Sequence, residues 1–337
     1  MNNLPLPISN THKLGFGCSS LGGSTDKKTS QRALAAAFAN GICHFDVARS
    51  YGYGEAESIV GGFIKGKRSH VIITTKYGIA PPRPFPLMGA VKNMVRAVRK
   101  VSPGIVAKFT QQYGNKNAPA AEITPSALLG SLHKSLSELN TDYVDIYLLH
   151  NLPYHQATRE DLIFELEKAK GAGKIRAWGA TCKSDEDLQD FLSLGPPFDV
   201  VQFPYQHDQP LMQQENNSQT AKVIFSVMNQ NVWAMPDPPP SFFKALAPNF
   251  IVPGLINNLR EAWLFIAKQE NPHAQMLCGM TKEEHIVRNL KILEAPPLSK
   301  GTLANMKKFV KAGKLTGEPV FSPDSLALLR QMGVAAA

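Results

Sequence analysis

Four side chains that can handle a proton at oxygen stand at the ends of short apolar runs: Asp46 closing "ICHFD", Tyr51 in a turn bracketed by glycine, Lys76 in "VIITTKYG" and His150 in "VDIYLLHN". A phenol with a pKa of about 10 is a poor donor or acceptor near neutrality. A lysine ammonium beside it favours tyrosinate and lowers that pKa, and a carboxylate beside the lysine keeps the ammonium charged and in place. An imidazole orients a carbonyl oxygen or passes a proton. Such a set suits moving a proton at oxygen while hydride moves at the adjoining carbon, and hydride requires a cofactor. Each residue also has an inert reading: Asp46 and Lys76 as a structural ion pair, Tyr51 as a loop aromatic, His150 as a polar strand end.

Positioning these groups together requires elements from distant parts of the chain. Short β-like runs alternate with helical patterns, which argues for a mostly parallel sheet covered by helices. Strands are predicted at Lys13–Gly17, Ile42–Asp46, Val71–Thr75, Tyr143–Leu149, Ile175–Ala180, Val200–Phe203, Asn231–Met235 and Gln275–Gly279. Thr25 or Asp26 begins a helix that stops at Asn40-Gly41, and Thr124-Pro125 opens another with Leu128, Leu132, Leu136 and Leu139 on one face. Eight such units in a single domain, 1–337, predict a closed (β/α)8 TIM barrel with a core of about 13–295. A long insertion, 78–123, separates strands 3 and 4, and a helical tail covers 296–337. "GFGCSSLGG" imitates the opening of a Rossmann unit, but Ser20 replaces the third glycine and the acid, Asp46, arrives late.

The insertion carries Arg83, Lys92, Arg96, Arg99, Lys100, Lys108 and Lys116 and, from Ala80 to Ala121, no acid. A solvated face on the barrel, a substrate lid and a docking surface for an acidic partner all remain open for it. The formal net charge of the 337 residues is +9, but the basic residues are spread and no nucleic-acid motif accompanies them, which favours anionic small molecules as ligands. The four cysteines, Cys18, Cys43, Cys182 and Cys278, lack the paired spacing of a zinc site, so no metal is expected. No apolar run reaches membrane-spanning length, and the start lacks the basic-then-apolar order of a secretory signal; a cytoplasmic protein is expected.

In register along the chain, "FDVARSYGYGEAE", "TTKYG", "DIYLLHN", "GKIRAWGATC", "VVQFPYQ" and "CGMTKEEHIVRNL" give the sequence a resemblance to the aldo-keto reductases over about residues 13–295. The resemblance implies Tyr51 as the acid, Lys76 lowering its pKa, Asp46 placing Lys76 and His150 orienting substrate, with Tyr53 at a variable turn position. It also implies a nicotinamide cofactor, NADP(H) first and NAD(H) second. Gln202 and Thr181 match positions holding its carboxamide, Gly279 and Thr281 a phosphate seat, Lys282, His285 and Arg288 charge near a 2′-phosphate, and Asn289 an adenine contact. The chain departs from the family at Cys182, which replaces an asparagine beside the nicotinamide, at Met235, which stands where an aromatic residue stacks on the ring, and at His285, which replaces an arginine.

The expected function is an NAD(P)H-dependent oxidoreductase interconverting a small-molecule carbonyl and its alcohol. Oxidation of a sugar or polyol and a cofactor-binding sensor without catalysis are the alternatives. His44 and Cys43, like Trp178 and Trp233, read as packing residues, whereas Tyr53, Tyr77, Phe109 and Tyr113 are candidates to line the pocket.

Overall fold

The computed structural model describes residues 13–81, 121–182, 185–193, 198–205, 220–227 and 255–315. The chain divides into two compact units: Met1–Pro204 with Glu215–Phe225 and Ala274–Ile286, and Tyr205–Gln214 with Ser226–His273 and Val287–Ala337. The basic stretch from Arg83 to Lys116, together with Phe109, Tyr113, Trp233 and Met235, lies outside the described residues.

The first unit contains a closed barrel of eight parallel strands in sequential order: β1 (Leu14–Gly17), β2 (His44–Asp46), β3 (Ile72–Tyr77), β4 (Val144–His150), β5 (Ile175–Thr181), β6 (Val200–Pro204), β7 (Ala221–Phe225) and β8 (Gln275–Cys278). Seven strands fall where the sequence puts them. The seventh does not: Ala221–Phe225 pairs with β6 on one side and β8 on the other, so the expected strand Asn231–Met235 is not one of the eight. Alternation along the strands turns Ile72, Ile146, Leu148, Ala177, Val200, Val223 and Leu277 into one apolar cluster, the packed interior expected of a small barrel. Strands approach closely enough that a Cβ on Gly179 of β5 would sit 1.8 Å from the Val200 carbonyl oxygen.

The α-helices among the described residues are α1 (Lys27–Ala39), α2 (Ala56–Ile64), α3 (Pro125–Leu139), α4 (Tyr154–Ala157), α5 (Glu160–Gly171), α6 (Asp185–Ser193), α7 (Leu259–Glu270), α8 (Glu283–Glu294) and α9 (Lys300–Leu315). Their starts follow local chemistry. The Asp26 side chain accepts from the Thr29 amide to begin α1, and Thr124 does the same for Ala127 at the start of α3 with Pro125 at its first position. Leu128, Leu132, Leu136 and Leu139 of α3 are buried as their spacing predicts. Trp178 is buried against Phe198, edge to face, and donates its indole N–H to Glu167, a packing role.

In the second unit Glu270 of α7 receives the Tyr205 hydroxyl and the Lys307 ammonium from α9. No helix among the described residues is long and apolar enough to cross a membrane.

Candidate active site

The C-terminal rim of a (β/α)8 barrel is where loops and strand ends converge. Asp46 ends β2, Lys76 stands one residue from the end of β3, His150 ends β4, Thr181 ends β5 and Gln202 lies in β6. Hydrogen-bond register sets His150 beside Thr181 and Thr181 beside Gln202. The four residues proposed for proton handling therefore share one rim despite their separation in sequence.

Lys76 is the hub. Its Nζ donates to Asp46 Oδ1 at 2.5 Å, to the Val47 carbonyl at 3.1 Å and to the Tyr51 phenol oxygen at 3.4 Å. Lys76 and Asp46 are 2% and 3% exposed, so the ion pair is desolvated and each partner depends on the other. Burial alone would pull the lysine down, but Asp46 and Tyr51 outweigh it and hold the ammonium above its ordinary range. The phenol is also held above its ordinary range: the packing that strips water from it dominates, Lys76 pulls the other way, and Asp46 adds to the rise. Lys76 thus lowers the phenol pKa only relative to what burial would impose, and Tyr51 is a neutral phenol at physiological pH. The His150 ring stands edge-on to Tyr51, with centroids 6.2 Å apart at 83°.

The turn that presents Tyr51 is tightly constrained. Gly52, Tyr53 and Gly54 have consecutive φ values of 60°, 59° and 90°, a left-handed run that glycine adopts freely and tyrosine at a cost. A Cβ on Gly52 would fall 2.0 Å from the Leu21 carbonyl oxygen, so the loop after β1 presses directly on the turn. Tyr53 is 46% exposed beside it. Tyr77, by contrast, is buried and its hydroxyl donates to the Glu122 carbonyl, so it anchors the chain entering α3 rather than lining a pocket. The alternation of β3 explains this, because neighbours of an inward lysine face outward.

Three residues that the sequence reading passed over belong to the surroundings. Asn151, in the left-handed region at φ 59°, accepts the Thr181 hydroxyl through its side chain and donates its backbone N–H to the same threonine. Glu57, buried on α2, accepts the Thr75 hydroxyl at 2.6 Å next to Lys76, and burial raises its carboxyl pKa. Its place in "YGYGEAE", three residues after Gly54, was the available signal. Phe225 ends β7 and packs on the barrel's apolar cluster. Met235 lies outside the described residues; the aromatic residue at the end of β7 is Phe225.

The residues expected at a cofactor divide into three groups. At the rim, Gln202 Nε2 donates to Asp46 Oδ2 at 2.9 Å, and the Cys182 amide donates to the Gln202 carbonyl while its thiol is buried. Beyond β8, Gly279, Thr281, Lys282 and His285 are exposed, with Lys282 and His285 sharing Glu284 at 3.2 and 3.6 Å. In the second unit, Arg288 is held by both carboxylate oxygens of Glu261 and by the Leu255 carbonyl, and Asn289 is buried. No cluster of three metal-ligating side chains occurs among the described residues.

A family model described as "Aldo/keto reductase family" matches residues 13–231. Aldo-keto reductase YhdN of Bacillus subtilis (strain 168) is 30% identical over 199 residues, covering 57% of this chain and 50% of that protein. NADH-specific methylglyoxal reductase of Escherichia coli (strain K12) is 26% identical over 216 residues, covering 61% of this chain and 59% of that protein. The chain thus matches little more than half the length of these curated relatives. Among solved structures, an aldo-keto reductase from Klebsiella pneumoniae in complex with NADPH superposes with a TM-score of 0.59 at 18% identity, covering 95% of this chain and 99% of that one.

Proposed function

This chain belongs to the aldo/keto reductase family, and from that premise we propose that it reduces a small aldehyde or ketone to the alcohol with a nicotinamide cofactor, Tyr51 acting as the proton donor. The observation that carries the reading is the Lys76 ammonium standing between Asp46 Oδ1 and the Tyr51 phenol. Tyr51, kept neutral by burial, holds the proton that the carbonyl oxygen gains. Lys76 stabilises the tyrosinate left behind, Asp46 holds Lys76 in place, and His150, edge-on to Tyr51, orients the carbonyl oxygen. The cofactor, when bound, supplies the hydride.

The residues present fit the amide end of such a cofactor. Thr181, Gln202 and Phe225 come from the neighbouring strands β5, β6 and β7, and Gln202 Oε1 is an acceptor suited to an amide N–H. The phosphate end is electrically balanced rather than strongly basic. Glu283 and Glu284 occupy the first turn of α8, and Lys282 and His285 share Glu284. That balance supports acceptance of both NADPH and NADH with modest discrimination, in keeping with one relative described as NADH-specific and a structural neighbour that holds NADPH. A two-carbonyl substrate such as methylglyoxal is the natural first assay, given what that relative acts on.

The test is Tyr51→Phe, assayed with methylglyoxal and either cofactor. Loss of a general acid typically removes about 10²–10⁴-fold of rate, so kcat should fall within that range while the cofactor Kd, read by fluorescence, stays within about twofold. Unchanged turnover would remove Tyr51 from the reaction.

A further inference from the structure

Asp46 has two carboxylate oxygens, and different partners take them. Oδ1 receives the Lys76 ammonium; Oδ2 receives the side-chain amide of Gln202 at 2.9 Å, from 156 residues further along the chain. Gln202 is as buried as the ion pair it touches, at 2% exposure. Its amide orientation follows from chemistry, since reversing it would set Oε1 against a carboxylate oxygen. Gln202 therefore spends an N–H on Asp46, and among the described residues nothing donates to its Oε1.

A neutral donor at this position has a particular advantage. A second cation would compete with Lys76 for the carboxylate, and an apolar side chain would leave Oδ2 buried without a donor. In either case the ammonium is pulled or released relative to the phenol, whose 3.4 Å link to Lys76 is the longest of the three that Nζ makes. The backbone supports the side chain: the Cys182 amide bonds the Gln202 carbonyl, and Gln202 lies in the barrel's closed ladder between Thr181 and Val223.

We propose that Gln202 is a positioning residue for the proton donor: it holds Asp46, and through Asp46 the Lys76 ammonium, in the geometry that reaches Tyr51, while its Oε1 remains to accept from the cofactor amide. One side chain then joins cofactor seat and proton donor. The inference rests on the carbonyl-reductase reading above and deepens it.

Two near-isosteric variants of the full chain test it. Gln202→Met keeps the volume and removes the donor. Gln202→Glu keeps the shape, donates to Asp46 only when protonated and repels it when ionised. At saturating cofactor, kcat of Gln202→Met should fall about tenfold, the scale of one hydrogen bond to a charged group, and the alkaline limb of its pH–rate profile should move upward as Asp46 weakens the pull of Lys76 on the phenol. Gln202→Glu should be slow at neutral pH and recover as pH falls, a limb that the wild type lacks. If both variants raise the cofactor Kd but leave kcat and the pH profile at wild-type values, Gln202 serves the cofactor alone and the proposal is overturned; wild-type behaviour in every parameter overturns it as well. Should Gln202→Met fail to fold, the acid recovery of Gln202→Glu decides. Full activity in Tyr51→Phe would instead dispose of the underlying reading.

Discussion

The two ends of the barrel are built from the same three ingredients and do different work. At the C-terminal rim stand Asp46, the Lys76 ammonium and Tyr51. At the N-terminal end stand Asp145, the Arg68 and Arg176 guanidinium groups and Tyr143. Asp145 Oδ2 accepts from Arg68 at 2.7 Å and from the Ile73 amide at 2.9 Å, and Oδ1 accepts from Arg176 at 2.9 Å. Both guanidinium carbons lie over the Tyr143 ring, at 3.8 and 4.3 Å from its centroid. Arg68 further bonds Thr141 and the carbonyls of Val71 and Tyr143. The planar guanidinium is permanently charged; the Arg68 fork ties the residues that precede β3 and β4 to Asp145, Arg176 of β5 meets the same carboxylate, and the tyrosine serves as a stacking surface. At the rim the cation is a point charge on a flexible stem, and it meets the phenol at its oxygen rather than only over its face. A tyrosine covered by arginine is a fastener; one whose hydroxyl meets a lysine is placed for the proton-donor role proposed above for Tyr51.

Exchanging the cations is the sharpest way to break this comparison. Lys76→Arg keeps the charge at the rim but replaces a compact ammonium with a wider fork in a closed space, where overpacking costs about 1–3 kcal/mol. A guanidinium satisfied by Asp46 does not keep the single contact to the Tyr51 oxygen. We expect methylglyoxal reduction to fall about 10²–10⁴-fold, the range of a lost general acid, in a protein that remains folded by circular dichroism. Near-native turnover would mean that charge alone suffices at the rim. The converse change at the base, Asp145→Ala, leaves two guanidinium groups without their carboxylate and the Ile73 amide without an acceptor. Arg176 is 55% exposed and Arg68 keeps its other bonds, so the main loss is the acceptor of the buried Ile73 amide, about 1–3 kcal/mol, which should show as a lower urea midpoint of the barrel, whereas kcat per folded molecule stays close to wild type. A matching loss of kcat would mean that the base and rim are coupled.

The rim was more legible in the sequence than the base. Asp46, Lys76 and His150 stand out because polar residues that close apolar strands have few inert explanations, and Tyr51 follows from its glycine-bracketed turn. Asp145 and Arg68 carry no such signal, since a charge near a strand start looks like any solvated residue until the barrel closes over it. β7 was misplaced for a related reason. "AKVIF" is five residues with the half-buried Lys222 in it, and periodicity alone does not separate so short a run from the apolar run at 231–235. The Gln202–Asp46 bond was hidden altogether, because nothing local in either segment reports a partner across the barrel. The direction of the Tyr51 pKa was missed as well: the sequence shows that Lys76 is near, but only the packing shows that desolvation outweighs it.

Between the two ends lies a third polar group, and its effect is the smallest. His44, on β2, is 1% exposed; its Nδ1 meets Gln275 Oε1 from β8 and its Nε2 lies 2.7 Å from the Thr74 hydroxyl of β3. An amide oxygen only accepts, so Nδ1 carries a proton; in the neutral ring that burial favours, Nε2 accepts from the threonine hydroxyl. Burial lowers the His44 pKa, against the pull of Asp46. A histidine whose folded pKa lies below its unfolded value leaves the folded state binding fewer protons as pH drops. Its stabilising contribution is therefore complete above the unfolded value of about 6.5 and is lost as pH falls from there toward the folded value. One such proton gives a slope of at most about 1.4 kcal/mol per pH unit. Wild-type stability, measured by urea unfolding between mildly alkaline and mildly acidic pH, should decline with that slope. His44→Gln, which keeps a donor and an acceptor without a titrating ring, should start lower and decline less. An unchanged acid slope in the variant would move the titration away from His44 and the barrel interior.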